Sequence, residues 1–313
     1  MSVVGSPMMR TDARDKVTGR AIYGVDVEVP GTLTAVVLRS PVAAGRIRRL
    51  DLDAVRRAPG VRAVIAAADV PAIRHGLVIK DQPLFADEVV RFEGEPVAAL
   101  AADSPAAAAT ALALAVLEIE PLEPVVDLEA AVVPTSRLVH EDVAGYEITV
   151  DPFPRAGNVA AEMRADPPGV DDAFERADHV VEDVFRSGRQ YQAYLEPREV
   201  VAEHHDGRYT LHISHQFPFH VRDRVAEALS VATDDVRVVG HHIGGGFGAK
   251  LDLGLEAHAA LLARASGRPV KLLLTEGTLL VTLIDNKTNR AVWNGYASGV
   301  TVPPSPVGST PGK

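Results

Sequence analysis

The sequence predicts an α+β fold, and three observations carry that prediction. Apolar runs of strand length mix with helix signatures without strict strand–helix–strand order. One Ala-rich helix opens at Ser104-Pro105, a good N-cap followed by the residue that suits a first helical position. A loop with four glycines in the five positions 244–248 separates an apolar run from a helical one.

In chain order, residues 1–15 are polar and read as an N-terminal arm. Residues 16–132 form a first unit. There Val17 to Val29 reads as short β runs broken by Gly19, Gly24 and Pro30. Leu33 to Arg39 is an apolar strand ending at Ser40-Pro41, and Asp51 to Ala58 is a short helix closed by Pro59-Gly60. Val61 to Ala67 is the next strand. Val89 to Phe92 and Pro96 to Ala102 read as a hairpin around Gly94, and the Ala-rich helix then covers residues 106–120. Residues 133–172 carry Pro134, Pro152, Pro154, Pro167 and Pro168 with weak periodicity, and read as a linker.

A second unit follows over residues 173–275. Val180 to Ser187, Glu199 to His204 and the alternating Tyr209 to Ser214 are expected strands. Val221 to Leu229 places Val221, Val225, Ala228 and Leu229 on one helical face. Val236 to Val239 is a strand, Gly254 to Ala265 a helix stopped by Gly267, and Val270 to Leu274 a last strand. Residues 276–313 read as a β-hairpin about Asp285 to Asn289, then a Pro-rich disordered tail.

Composition narrows the function classes. The 313 residues hold 32 basic and 42 acidic side chains, a net charge of −10, which argues against nucleic acid and against a membrane surface as partner. There is no cysteine, so disulfides, thiolate metal sites, iron–sulfur clusters and Cys nucleophiles within the chain are excluded. The stretch Ala98 to Val116 contains Asp103, Ser104 and Pro105 and is too broken to span a bilayer. A cytoplasmic protein is expected.

The glycine loop, His241 to Lys250, leaves three readings open: a tight turn, a phosphate cradle, or a dedicated cofactor loop. The phosphate reading is weak because the G-x-G-x-x-G and G-K-S/T spacings are both absent. Gln216 on its own reads as a solvated strand end. Glu196 reads as a structural ion pair or cap ahead of a catalytic acid. His241 and His242, adjacent on a strand, point to opposite faces and make a poor metal pair. His204-His205 and the group His212, His215 and His220 do no better.

Across about residues 5–275 the chain resembles the molybdenum-cofactor-binding (large) subunit of the xanthine dehydrogenase/aldehyde oxidase/carbon monoxide dehydrogenase family. The first unit carries Arg10, Asp12, Lys16 to Ala21, Tyr23, Asp26, Pro30-Gly31, Leu33, Leu38 to Pro41, Pro59 to Val61 and Gly94 to Ala98, resembling the family's a/b hammerhead domain. The second carries Tyr194 to Pro197, Gln216, Gly244 to Lys250 and Gly267 to Val270, resembling an incomplete first molybdenum-binding domain. The resemblance implies molybdenum–molybdopterin cytosine dinucleotide held by Gln216, Gly245, Gly246, Phe247 and Gly248. It further implies hydroxylation of an aldehyde or N-heterocycle with water as oxygen source, and electron flow to 2Fe-2S and FAD-binding partner subunits. The family's base glutamate, its second molybdenum-binding domain and its Arg-rich loop have no counterpart after Thr275, so no catalytic residue and no direct metal ligand is assigned. Leu251 stands where purine-oxidising relatives carry a glutamate. Gly277 to Val300 instead resembles the strand–turn–strand of small bacterial envelope lipoproteins. A truncated or fused fragment, inactive by itself and unable to hold the cofactor alone, is the alternative expectation; an unrelated α+β anion-binding protein is a weaker one.

Overall fold

The structure is a computed structural model that describes residues 4–150, 155–162, 167–187, 190–274, 276–285 and 290–301. Its centre is a seven-stranded mixed sheet that runs through both units. The order is Val236–Gly240, Arg208–Ile213, Glu199–His205, Val270–Leu273, Leu33–Arg39, Pro96–Ala102 and Val61–Ala66. The joint lies at Val270–Leu273, which pairs antiparallel with Glu199–His205 and parallel with Leu33–Arg39. The expected boundary over residues 133–172 is therefore bridged by one continuous backbone ladder.

Pro96–Ala102 shows why its apolar run is uninterrupted. Ala99 and Ala101 enter the main core beside Leu211, Val225 and Leu262, while Ala98, Leu100 and Ala102 pack with Leu52, Val55, Ala108 and Ala111 on the other face. A strand covered on both faces reads as a continuous hydrophobic segment. The helices Pro218–Leu229 and Glu256–Ser266 contribute to the main core, and Pro105–Leu112 with Asp53–Arg56 to the second. The α+β class is borne out.

Several local expectations change. The Ala-rich helix starts as expected, with Ser104 Oγ accepting from Ala107 N at 3.2 Å, but it ends at Leu112. Residues Val116–Pro121 form a strand whose Leu117 and Ile119 face Leu50 and Ile47 of Gly45–Asp51, and whose Glu118 pairs with Arg49 at 3.4 Å. The alternation Val-Leu-Glu-Ile-Glu has period two, and that pattern wins over the preceding alanines. The hairpin about Gly94 does not form: Val89–Val90 pairs with Gly45–Asp51, while Pro96–Ala102 lies between Leu33–Arg39 and Val61–Ala66. Val17 to Val29 holds the end of a helix, Ala13–Val17, and a 3-10 turn, Gly24–Asp26, in place of β runs. Over residues 180–187 there is no strand, and Val180, Val181 and Val184 are exposed. Glu276–Asp285 and Arg290–Thr301 pair antiparallel, with Ala161–Glu162 added to their edge. The tail expected to be disordered, residues 302–313, lies outside the described residues.

Candidate functional site

The glycine loop follows the edge strand Val236–Gly240 and folds back over the end of its neighbour Arg208–Ile213. That return places the loop on Gln216. The carbonyl oxygen Oε1 of Gln216 accepts from Gly248 N at 3.0 Å and from Lys250 N at 3.4 Å, and Gln216 N donates to Lys250 O at 3.0 Å. Gly246 has to be glycine for this fit, because a Cβ there would stand 2.4 Å from Gln216 Oε1. Gly245 and Gly248 adopt φ of +101° and +91°, a region that favours glycine. Phe247 sits between them at φ +49°, and the residue is 73% exposed. A Cβ on Gly245 would meet Phe247 Cε2 at 3.0 Å and Tyr194 Cβ at 3.1 Å. Gln216, Gly245, Gly246, Phe247 and Gly248 are thus brought to one place. Gln216 is not a solvated strand end.

Beneath the loop is a polar anchor whose partners the sequence did not reveal. Glu196 and Lys250 are both buried, with Lys250 Nζ 3.0 Å from Glu196 Oε2. The same oxygen accepts from Gly244 N at 2.7 Å and from the Ser214 hydroxyl, while Oε1 accepts from Gly24 N at 3.2 Å. Lys250 Nζ also stands 5.0 Å over the Tyr194 ring. One carboxylate therefore ties the loop's first glycine, its terminal lysine, a strand end and the N-terminal turn. This favours the structural reading of Glu196. The only hint in the sequence was the two charges themselves, Glu196 within Tyr194 to Pro197 and Lys250 at the end of the glycine loop.

Nearby Glu199 is 1% exposed and neither carboxyl oxygen has a partner. Burial pushes it up to about 8, the Glu196 charge adds to this, and Lys250 opposes it. Behind the loop, Arg198 Nε lies 3.4 Å from Glu256 Oε1 and its Nη2 lies 3.1 Å from His215 Nε2. Asp252 Oδ2 accepts from Leu77 N at 3.1 Å, which fastens the segment after the loop to the first unit. His241 and His242 go to different partners: His241 Nε2 is 3.2 Å from His212 Nδ1, and the His242 ring lies 6.0 Å from that of Tyr23. Among the described residues no group of three or more His, Asp or Glu is arranged to hold a metal, and no helix is long and apolar enough to cross a membrane.

Fold and loop together define an α+β chain with an anchored glycine-rich loop at the end of its central sheet. The comparisons with known proteins say which. Residues 18–123 match the aldehyde oxidase and xanthine dehydrogenase a/b hammerhead domain, and residues 153–293 match the molybdopterin cofactor-binding domain. The chain is 34% identical over 272 residues to the nicotinate dehydrogenase large molybdopterin subunit of Eubacterium barkeri, covering 86% of this chain and 61% of that one. It is 34% identical over 260 residues to the nicotine 6-hydroxylase large subunit of Paenarthrobacter nicotinovorans, covering 80% of this chain and 30% of that one. In structure it superposes on quinoline 2-oxidoreductase from Pseudomonas putida 86 with a TM-score of 0.74 and 32% identity, over 86% of this chain and 34% of that one. The chain belongs to the molybdopterin-binding subunits of the xanthine dehydrogenase/aldehyde oxidase/carbon monoxide dehydrogenase family. It spans less than two thirds of the length of these relatives. The molybdopterin-domain match also extends past Thr275, across the boundary expected from the sequence.

Proposed function

We propose that this chain supplies one wall of a molybdenum–molybdopterin cytosine dinucleotide site, in a cytoplasmic hydroxylase acting on an aldehyde or N-heterocycle. Water is the oxygen source, and electrons leave to 2Fe-2S and FAD-binding partner subunits. The observation that carries this reading is the clasp between Gln216 and the loop. With Oε1 engaged by Gly248 N, the group Gln216 has left to offer is its amide NH2, a donor. A donor suits an oxo-bearing, anionic cofactor and leaves its metal uncoordinated by protein. Gly245 and Gly248 let backbone approach closely, and exposed Phe247 is an aromatic cover that excludes water from whatever lies beneath it. The cofactor, when bound, supplies the redox chemistry; these residues bind and orient it.

The same reading makes the 313 residues catalytically silent by themselves, since no residue among them matches the family's base glutamate. The test is to produce the chain with its iron–sulfur and flavin partner subunits and measure molybdenum content and aldehyde turnover. Gln216→Ala in an assembly that turns over should lower the rate about 10-fold or more while the circular dichroism spectrum is unchanged. An unaltered rate would remove Gln216 from the site. Stoichiometric molybdenum with turnover by the chain alone would refute the silence.

A further inference from the structure

Residues 22–27 run as a strap over the second unit, beside the glycine loop. The His242 N–H donates to Ile22 O at 3.2 Å, and the Gly24 N–H donates to Glu196 Oε1 at 3.2 Å. Lys271 Nζ ties the strap down further along, donating to Val25 O at 2.7 Å and to Val27 O at 3.2 Å.

Beneath the strap lies Glu199, which the proposed cofactor wall does not use. Its strand neighbours Val200 and Ala202 split between faces with it: Val200 and Ala202 enter the main core, so Glu199 and Val201 share the opposite face. Val201 pairs directly with Lys271, which puts Lys271 on that face too, diagonal to Glu199 and within reach of a long side chain. Gly24 rests on the carboxyl itself, since a Cβ there would collide with Glu199 Oε1. Glu199 is buried, and neither of its oxygens has a hydrogen-bond partner.

The surrounding charges are already committed, with Lys271 the exception. Glu196 and Glu256 add negative charge near Glu199, while Lys250 and Lys271 oppose it. Lys250 Nζ is held by Glu196 at 3.0 Å. Glu203, on the same strand face, is met by His212 Nε2 at 3.3 Å, and the strap's own Asp26 accepts from Tyr23 N at 3.0 Å. Lys271 alone of the two cations has neutral carbonyls as its partners, and a carboxylate is a stronger acceptor than a carbonyl. A neutral carboxyl fits under Gly24; an ionised one would be a buried charge without a partner.

We propose that Glu199 and Lys271 form a proton-operated latch for the strap. With the Glu199 proton in place, Lys271 holds the Val25 and Val27 carbonyls and the strap is closed. When that proton leaves to solvent, Lys271 turns to the carboxylate, its two ties to the strap are lost, and residues 22–27 lift. The latch reaches the glycine loop, because the carboxylate of Glu196 binds both Gly24 N and Gly244 N. It does not depend on whether the loop holds a cofactor.

Hydrogen–deuterium exchange of the full chain, followed by mass spectrometry from pH 5 to 9, tests this. Glu199→Gln keeps the latch closed, and comparison with it at each pH cancels the intrinsic pH dependence of exchange. The carboxyl titrates at about 8 under the closed strap and at its ordinary 4.5 once released. Opening is therefore linked to proton loss between those values. The ratio of strap exchange in the unmodified chain to that in Glu199→Gln should climb by up to about tenfold per pH unit from 5 to 8, then level off. Exchange of the strand Leu33–Arg39 should show no such climb, and this internal comparison serves if Glu199→Gln does not fold. Lys271→Met should speed strap exchange at pH 5 at least about tenfold, the effect of losing hydrogen bonds from a charged donor. A flat ratio, a climb shared by Leu33–Arg39, or unchanged strap exchange in Lys271→Met would overturn the proposal.

Discussion

The two sides of the Gly244–Lys250 loop are built on opposite terms. The underside is dry and closed: Lys250 is fully buried, Glu196 nearly so, and one carboxylate serves four partners. The upper side is open, with Phe247 73% exposed at a left-handed φ of +49°. A bulky residue in that region carries strain that the surroundings must hold in place. The contrast teaches a division of labour. The buried side fixes the loop's position, and the exposed side leaves Phe247 in solvent, where the proposed cofactor would lie.

Breaking the underside should have the largest effect. Lys250→Met leaves the Glu196 charge buried beside Gly244 and Ser214 without its cation. The expected loss of stability is about 3–5 kcal/mol, read by urea unfolding. A loss below about 1 kcal/mol would mean the pair does not anchor the loop.

A second effect, of comparable size over its whole range, comes from Glu199 and depends on pH. Its carboxyl is raised in the folded chain, from 4.5 to about 8. Between those values the unfolded chain gives up a proton that the folded chain keeps, so the contribution of Glu199 to stability is full below pH 4.5 and is lost as pH rises towards 8. The slope from this one group is at most about 1.4 kcal/mol per pH unit. Glu199→Gln should flatten the stability profile measured by thermal unfolding between pH 5 and 8. An unchanged profile would show that Glu199 ionises normally.

The upper side should be nearly silent for folding. Phe247→Gly relieves the left-handed φ but adds freedom to the unfolded chain, so its effect on stability should stay within about 1 kcal/mol. A loss of more than about 2 kcal/mol would show that Phe247 packs into the fold and is not held for a ligand.

What the sequence made legible follows the range of the interactions. The Ser104 cap, the strand Leu33–Arg39 and the helix Pro218–Leu229 are encoded by neighbours, and each appears where its residues predict it. The loop was legible because glycine is the residue that tolerates its φ values. The shared sheet was not: Leu33 pairs with Val270, and nothing local in either strand names the other. The expected strand over Val180 to Ser187 fails in the same way, for a β-prone segment still needs an edge to pair with. Glu196 was legible as a charge but not as a hub, because Gly24, Ser214 and Gly244 reach it from three distant segments.

Gln216 and residues 245–248 are proposed to form a wall for the pterin cofactor. The most direct measurement is an anaerobic titration of the ¹⁵N-labelled chain with molybdopterin cytosine dinucleotide released from a molybdoenzyme, followed by two-dimensional NMR. The largest shift changes are expected on the Gln216 side-chain amide and the backbone amides of Gly245 to Gly248. Shifts confined to other segments, or none at the highest cofactor concentration, would contradict it.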